Sequence, residues 1–123
     1  MPGKIVHFEV PASDTDRART FYSGVFGWEF GESAMPDMDY RMVRTSEEQG
    51  GAVYASDELV GKGLRIYFDT DDIDASIAKV RDGGGHADDK QPIPHVGWFS
   101  HCRDLDGNEF SLFQSDESVQ MPQ

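Results

Sequence analysis

Residues 5–10 alternate apolar and polar side chains, with His7 and Glu9 on one face and Phe8 and Val10 on the other. A period of two predicts a half-buried strand. After Asp14 the period changes. Ala18, Phe21, Tyr22, Val25 and Phe26 recur at helical spacing, which predicts an amphipathic helix with Asp14 as its N-cap and Gly27 as its stop. Phe21, Tyr22, Phe26 and Trp28 are expected to fill the core between that helix and the sheet. Three further strands follow, one starting at residues 28–30, one over 40–44, and one over 52–55 behind Gly50 and Gly51. A loop is expected over 35–39.

The second half reads in the same order. Residues 64–69 predict a strand, Asp72 an N-cap, and Ile73, Ile77 and Val80 the inner face of a second helix that Gly83, Gly84 and Gly85 end. That glycine run follows a helix and precedes none, so it is no phosphate loop. A short strand is expected at Ala87 and a loop around Pro92 and Pro94. Residues 97–103 and 109–114 then pair as a hairpin through Asp104-Leu105-Asp106-Gly107-Asn108, whose Asp-Gly chemistry suits positive φ. The polar tail from Ser115 is expected to fray.

The two halves echo one another at an offset of 58 residues, placing Asp14 on Asp72, Asp16 on Asp74 and Gly27 on Gly85. A fixed-period echo means one supersecondary unit used twice. The chain therefore reads as a single domain over 1–123, with module one at about 4–56 and module two at about 63–115. Its class is α+β, two βαβββ modules of eight strands in all. Each module alone leaves one sheet face bare, so the pair would enclose a concave surface.

Composition narrows the partners. The formal charge of −12 argues against nucleic acid and against an anionic membrane surface. No apolar run is long enough to cross a bilayer, and residues 1–4 do not start a signal peptide. Cys102 is the single cysteine, which suits a reducing, cytoplasmic setting for this acidic protein.

His7-Phe8-Glu9-Val10 with Asp14, Phe21-Tyr22 with Val25-Phe26-Gly27-Trp28, Asp71-Asp72-Ile73-Asp74-Ala75, and Arg103-Asp104-Leu105-Asp106-Gly107-Asn108 together resemble the vicinal oxygen chelate superfamily. That group holds glyoxalase I, bleomycin-resistance proteins and extradiol dioxygenases. The resemblance runs from Ile5 to about Gln114 and implies paired βαβββ modules in a cupped mixed sheet with the helices outside. It also implies a homodimer and a small-molecule site inside the cup. Metal-using members place His or Gln on the first strand, His at the start of the second module, and Glu late in the last strand. The matching positions here are His7, Arg65 and Ser111. Arg65 is a permanent cation and cannot be a ligand. Glyoxalase I activity, which needs the full set, is disfavoured, and no metal cofactor is expected.

Three functional readings remain open. The first is a metal-free binder of a small organic molecule, with a pocket lined by His7, Glu9, Tyr54, Arg65, Tyr67, Trp98, Phe99, His101, Glu109, Ser111 and Phe113. Apolar walls carrying a few polar groups describe most small-molecule sites. The second is a lyase, isomerase or dioxygenase holding Zn, Ni, Mn or Fe through His7, Glu9 and Glu109. The third is an assembly module whose cup is filled by side chains. His7 reads equally as a hydrogen-bonded structural histidine, and Arg65 as half of an internal ion pair. Cys102 lies on the opposite face from His101 and reads as a buried, inert thiol, with a thiolate favoured by Arg103 as the alternative. His86 is expected at an exposed edge, and His95 and His101 flank a segment that would rim the pocket.

Overall fold

The computed structural model describes residues 3–35 and 37–120. Chain contacts divide it into two compact units, Val6–Arg65 and a second made of residues 3–5 and 66–120. The division, between residues 65 and 66, falls just inside the start expected for the second module.

In the first unit, β1 (Ile5–Ala12) leads into α1 (Thr15–Phe26), followed by β2 (Phe30–Met35), β3 (Met38–Arg44) and β4 (Gly50–Ala55). Asp14 caps α1 in extended geometry and accepts from the Arg17 N–H. Gly27, at φ 73°, ends the helix and donates to the Ser23 carbonyl. Strand order is β2-β3-β4-β1, antiparallel except for the parallel β1–β4 pair. The face beneath α1 buries Val10, Ala12 and Val53 against Phe8, Ala18, Tyr22 and Phe30. Gly51 is required there, because a Cβ would meet the Phe8 ring at 2.6 Å. Thr15 is buried and donates to Asp39, which also accepts from Arg41 Nε at 2.7 Å. These bonds fasten the start of α1 to β3.

The second unit contains β5 (Arg65–Asp69), α2 (Ile73–Asp82), β6 (His86–Ala87), β7 (Gln91–Ile93), β8 (Gly97–Arg103) and β9 (Glu109–Ser115). Its order is β5-β9-β8-β6, with β7 also paired to β8. β5 and β9 run parallel, as β1 and β4 do in the first unit. The repeat thus extends from sequence to strand direction. Asp72 caps α2 through the Ala75 N–H, and Gln114 accepts from the Ile73 N–H. Ile73, Ile77, Ala87, Cys102 and Leu112 form the core, packed by Val80, Trp98 and Phe110. In the 104–108 turn, Asp104 accepts from the N–H groups of Asp106 and Asn108, and Gly107 sits at φ 82°.

Several expected boundaries move. β2 begins at Phe30 and not at Trp28, and β4 begins at Gly50 and not at residue 52. The expected loop over 35–39 is largely a hairpin, with Met35 ending β2 and Met38 opening β3; Pro36 lies outside the described residues. Residues 91–93 form a strand despite Pro92, because proline tolerates an edge position, and the strands among the described residues number nine. The tail does not fray over 116–119. Val119 is buried and its carbonyl accepts from the His95 N–H at 2.8 Å. Phe21 and Phe26 are not core: they are 62% and 60% exposed, and only Ala18 and Tyr22 of the helical stripe reach the sheet.

Candidate functional site

Alternation along β1 places His7 and Glu9 on the face opposite α1, and register adds residues from the neighbouring strands. Glu9 lies beside Ala52, and Tyr54 beside both Pro11 and Tyr40. Tyr40, Ala52 and Tyr54 are buried together against Leu59. The Tyr40 hydroxyl connects the polar groups of this face. It donates to Glu9 Oε2 at 2.8 Å and stands 2.6 Å from His7 Nε2. A phenol carries one proton, so with that proton committed to Glu9 its oxygen accepts from His7 Nε2–H. The imidazole thereby carries a proton on Nε2, with its ring stacked near the phenol at 6.3 Å, and its burial favours the neutral form. Tyr40 was not among the expected pocket residues. Strand parity groups it with Met38 and Met42, but its polar partners lie 31 and 33 residues away in sequence.

Burial pushes the His7 pKa below its usual 6.5, and the Glu9 carboxylate opposes that shift to a smaller degree. The sign for stability follows. As pH falls through 6.5 the unfolded chain takes up the proton first, so the stability that neutral His7 confers is present above 6.5 and lost toward its lower folded pKa. Urea midpoints are expected to drop between about pH 7.5 and 5.5, and His7→Gln to flatten that slope. Parallel slopes for the two proteins would refute the assignment.

The second unit carries its own polar cluster. Ser111 pairs in register with Tyr67 on β5 and His101 on β8, and Phe99 pairs with Phe113. Ser111 Oγ lies 2.6 Å from His101 Nδ1 and is fully buried. Phe99 and Tyr67 flank the imidazole with ring centroids at 5.0 and 6.3 Å. Tyr67, Phe99, His101, Ser111 and Phe113 thus share a face, as their alternation predicted. Glu109 opens β9 on the same parity, exposed and opposite Arg103. Arg65 opens β5 and is half-buried.

Trp98 does not belong with them. It packs on the α2 side against the core, with Lys90 Nζ 4.6 Å from its ring centre. Its neighbours Gly97 and Phe99 alternate away from it, so strand parity decides its face and aromatic character does not. Cys102 shares that inner face, and burial raises its pKa, with the Ser100 hydrogen bond opposing. It is an inert core thiol. His86 is exposed and lies 2.7 Å from Asp88.

The donors present do not fit the octahedral metal set that the resemblance implies. His7 Nε2 is committed to Tyr40, a hydroxyl stands at Ser111 in place of the acid, and a guanidinium stands at Arg65. Among the described residues no three His, Cys, Asp or Glu side chains gather closely enough to hold a metal ion. No helix among them is long and apolar enough to cross a membrane. A concave groove of about 670 Å³ lies in the first unit between α1 and the start of β2, lined by residues including Arg19, Ser23, Trp28 and Glu29. It contains none of the predicted pocket residues. Its polar groups belong to an open surface, so the chemistry stays with the hydrogen-bonded cluster on the opposite face of the sheet.

A family model for the N-terminal region of bleomycin-resistance-like proteins matches residues 4–46. A glyoxylase-like domain-containing protein of Didymella fabae is 32% identical over 118 residues, covering 89% of this chain and 92% of that protein. CFP32 of Mycobacterium bovis is 29% identical over 115 residues, and this chain spans 44% of its length. Among solved structures, methylmalonyl-CoA epimerase of Mycobacterium tuberculosis gives a TM-score of 0.72 at 14% identity, covering 92% of this chain and 88% of that one. The Streptomyces coelicolor epimerase, solved with 2-nitronate-propionyl-CoA, gives 0.69 at 23% identity, over 99% of this chain and 100% of that one. At these identities the structural likeness establishes a shared fold.

Proposed function

This chain belongs to the glyoxalase and bleomycin-resistance proteins of the vicinal oxygen chelate superfamily, and from that premise we propose that it binds a small organic molecule without the family's metal. The observation that carries this reading is the His7–Tyr40–Glu9 chain. The histidine at the family's first ligand position spends its Nε2 proton on a phenol. A neutral imidazole oriented in this way is a hydrogen-bonding wall, and Tyr40, Tyr54 and the half-exposed Met38 and Met42 on the same strand parity supply apolar surface beside it. In the second unit, Tyr67, Phe99 and Phe113 form an aromatic surface around His101 and Ser111. We place the binding role in a cytoplasmic homodimer.

The likeness to methylmalonyl-CoA epimerases, one of them solved with a CoA derivative, supports a second reading as a metal-dependent isomerase. That reading needs a divalent ion on His7 with Glu9 or Glu109. The two are separated by elemental analysis of the purified protein, followed by titration of Zn²⁺, Ni²⁺, Mn²⁺ and Fe²⁺ with thermal unfolding as readout. Far less than one metal per chain and no shift in Tm are expected. Stoichiometric metal that raises Tm would transfer the proposal to the enzyme.

A screen of small organic molecules by the same readout is expected to find stabilising ligands, and Tyr40→Phe to weaken them about tenfold, one lost hydrogen bond to a polar partner. The same substitution should cost about 1 kcal/mol of stability. Unchanged affinity in Tyr40→Phe would remove this face from the binding site.

A further inference from the structure

The groove between α1 and the start of β2 lies on the helix side of the first unit's sheet, away from His7. Its volume of about 670 Å³ is of the size that holds a small molecule. One wall is a stripe of α1, in which Asp16, Thr20 and Ser23 recur at helical spacing with Arg19 beside them. The other wall is the chain from Trp28 to Phe30. The corner that joins the walls is rigid. Gly27 turns it at φ 73° and donates to the Ser23 carbonyl, while Ser23 Oγ donates to the Trp28 carbonyl at 2.6 Å. The Trp28 indole is held by Phe26, Tyr22 and Phe8, with ring centroids at 5.0, 5.4 and 5.7 Å. A wall fixed in this way needs little ordering when a ligand arrives.

Charge decides what this groove takes. The Arg19 guanidinium donates to Asp16, and its Nε is buried out of a ligand's reach. That pair is neutral within itself. Glu29 is exposed and stands outside the ion pairs formed among the described residues. The lining therefore carries one uncompensated negative charge, next to Trp28, in a chain of net charge −12. An anionic ligand would be repelled by both, and a neutral one would leave Glu29 without a counter-charge. We propose that the groove is a second binding site, for a small organic cation. The apolar body of such an amine lies along Trp28 and Phe30, and its ammonium pairs with Glu29. Trp28 adds to the attraction, because an indole favours a cation near its ring.

The groove is open, so the pair with Glu29 stays in contact with water and contributes modestly. A one-ring amine is expected to bind with a Kd on the order of 1 mM, and more weakly as salt screens the charge. Because the His7 face lies across the sheet, a ligand there would not compete with one in this groove. The proposal therefore stands apart from the function put forward above.

Heteronuclear NMR titration of the isotope-labelled full chain tests this with phenethylammonium, 2-phenylethanol and phenylacetate, which share one ring and differ in charge. Phenethylammonium is expected to shift the Trp28 indole N–H and the amides of Ser23, Gly27 and Glu29, and to bind several-fold more weakly in about 0.5 M salt. The neutral alcohol should bind about threefold more weakly than the amine, and the acid more weakly still. Glu29→Gln, at an exposed position, should erase the advantage of the amine over the alcohol. Thr20→Arg puts a bulky cation into the groove at an exposed helical position and should abolish binding while the chain stays folded. No shift at these residues up to about 20 mM amine, or equal binding of the three probes, would overturn the proposal. Shifts confined to His7 and Tyr40 would overturn it as well, and would leave the binding role of that face standing.

Discussion

Ile73→Ala is expected to lower the unfolding free energy by about 4 kcal/mol, within the range for a large aliphatic side chain removed from a core. Ile73 is 1% exposed, among the most buried side chains of the molecule, and it opens α2 directly above Ile77, Ala87, Cys102 and Leu112. The site is also poorly placed to collapse around the vacancy. The Ile73 N–H is held by Gln114 at 2.8 Å, and Asp72 beside it is fixed by capping Ala75, so the helix start cannot sink into the gap. For a domain of this size the loss corresponds to about 10–15 °C in Tm. Ile73→Val removes one methylene and should cost about 1 kcal/mol. A Tm within 3 °C of wild type for Ile73→Ala would show that α2 is not anchored through this residue. Because Leu112 of that core alternates with Ser111 and Phe113 along β9, its disruption should also loosen the His101–Ser111 pair on the other face.

Much of this arrangement was legible before any coordinates. Both helices, both Asp N-caps and the DGN hairpin follow from short-range chemistry, in which each residue type has one local job. The face assignments of His7, Glu9, Tyr67, His101 and Phe113 followed from strand parity alone. What failed was decided by packing at longer range. The aromatic stripe of α1 was read as wholly buried, but helical periodicity marks a wide apolar face without saying how much of it a four-stranded sheet can cover. Trp98 was assigned by its chemical character against its parity. Tyr40 was passed over because nothing local distinguishes a strand tyrosine that bridges two polar groups from one that packs. Its partners lie 31 and 33 residues away in sequence. The tail looked frayed by composition, since a single docked valine among polar residues carries no periodic signal.

The second large effect tests the region where that tail attaches. Gly97→Ala is expected to cost about 3 kcal/mol or more, as overpacking against a backbone that cannot yield. A Cβ at Gly97 would stand 2.0 Å from the Gln114 carbonyl oxygen and 3.2 Å from the Asp116 nitrogen. Gly97 pairs with Ser115 at the very start of β8, so the only relief is to part β8 from β9 at that end. Parting them strains the Asp116 N–H bond to the Val96 carbonyl and, beyond it, the His95–Val119 bond that docks the tail. Loss of stability should therefore be accompanied by faster amide exchange at His95, Asp116 and Val119 than at residues of β1 or β4. Gly31→Ala is the matched control. It sits in β2 with its nearest neighbour 4.0 Å away, and should change stability by no more than about 0.5 kcal/mol. If Gly97→Ala behaves like Gly31→Ala, the close approach of β8 to β9 at this end is wrong. If it unfolds as expected while Gly31→Ala does not, glycine at 97 is a packing requirement of the hairpin that carries Phe99 and His101.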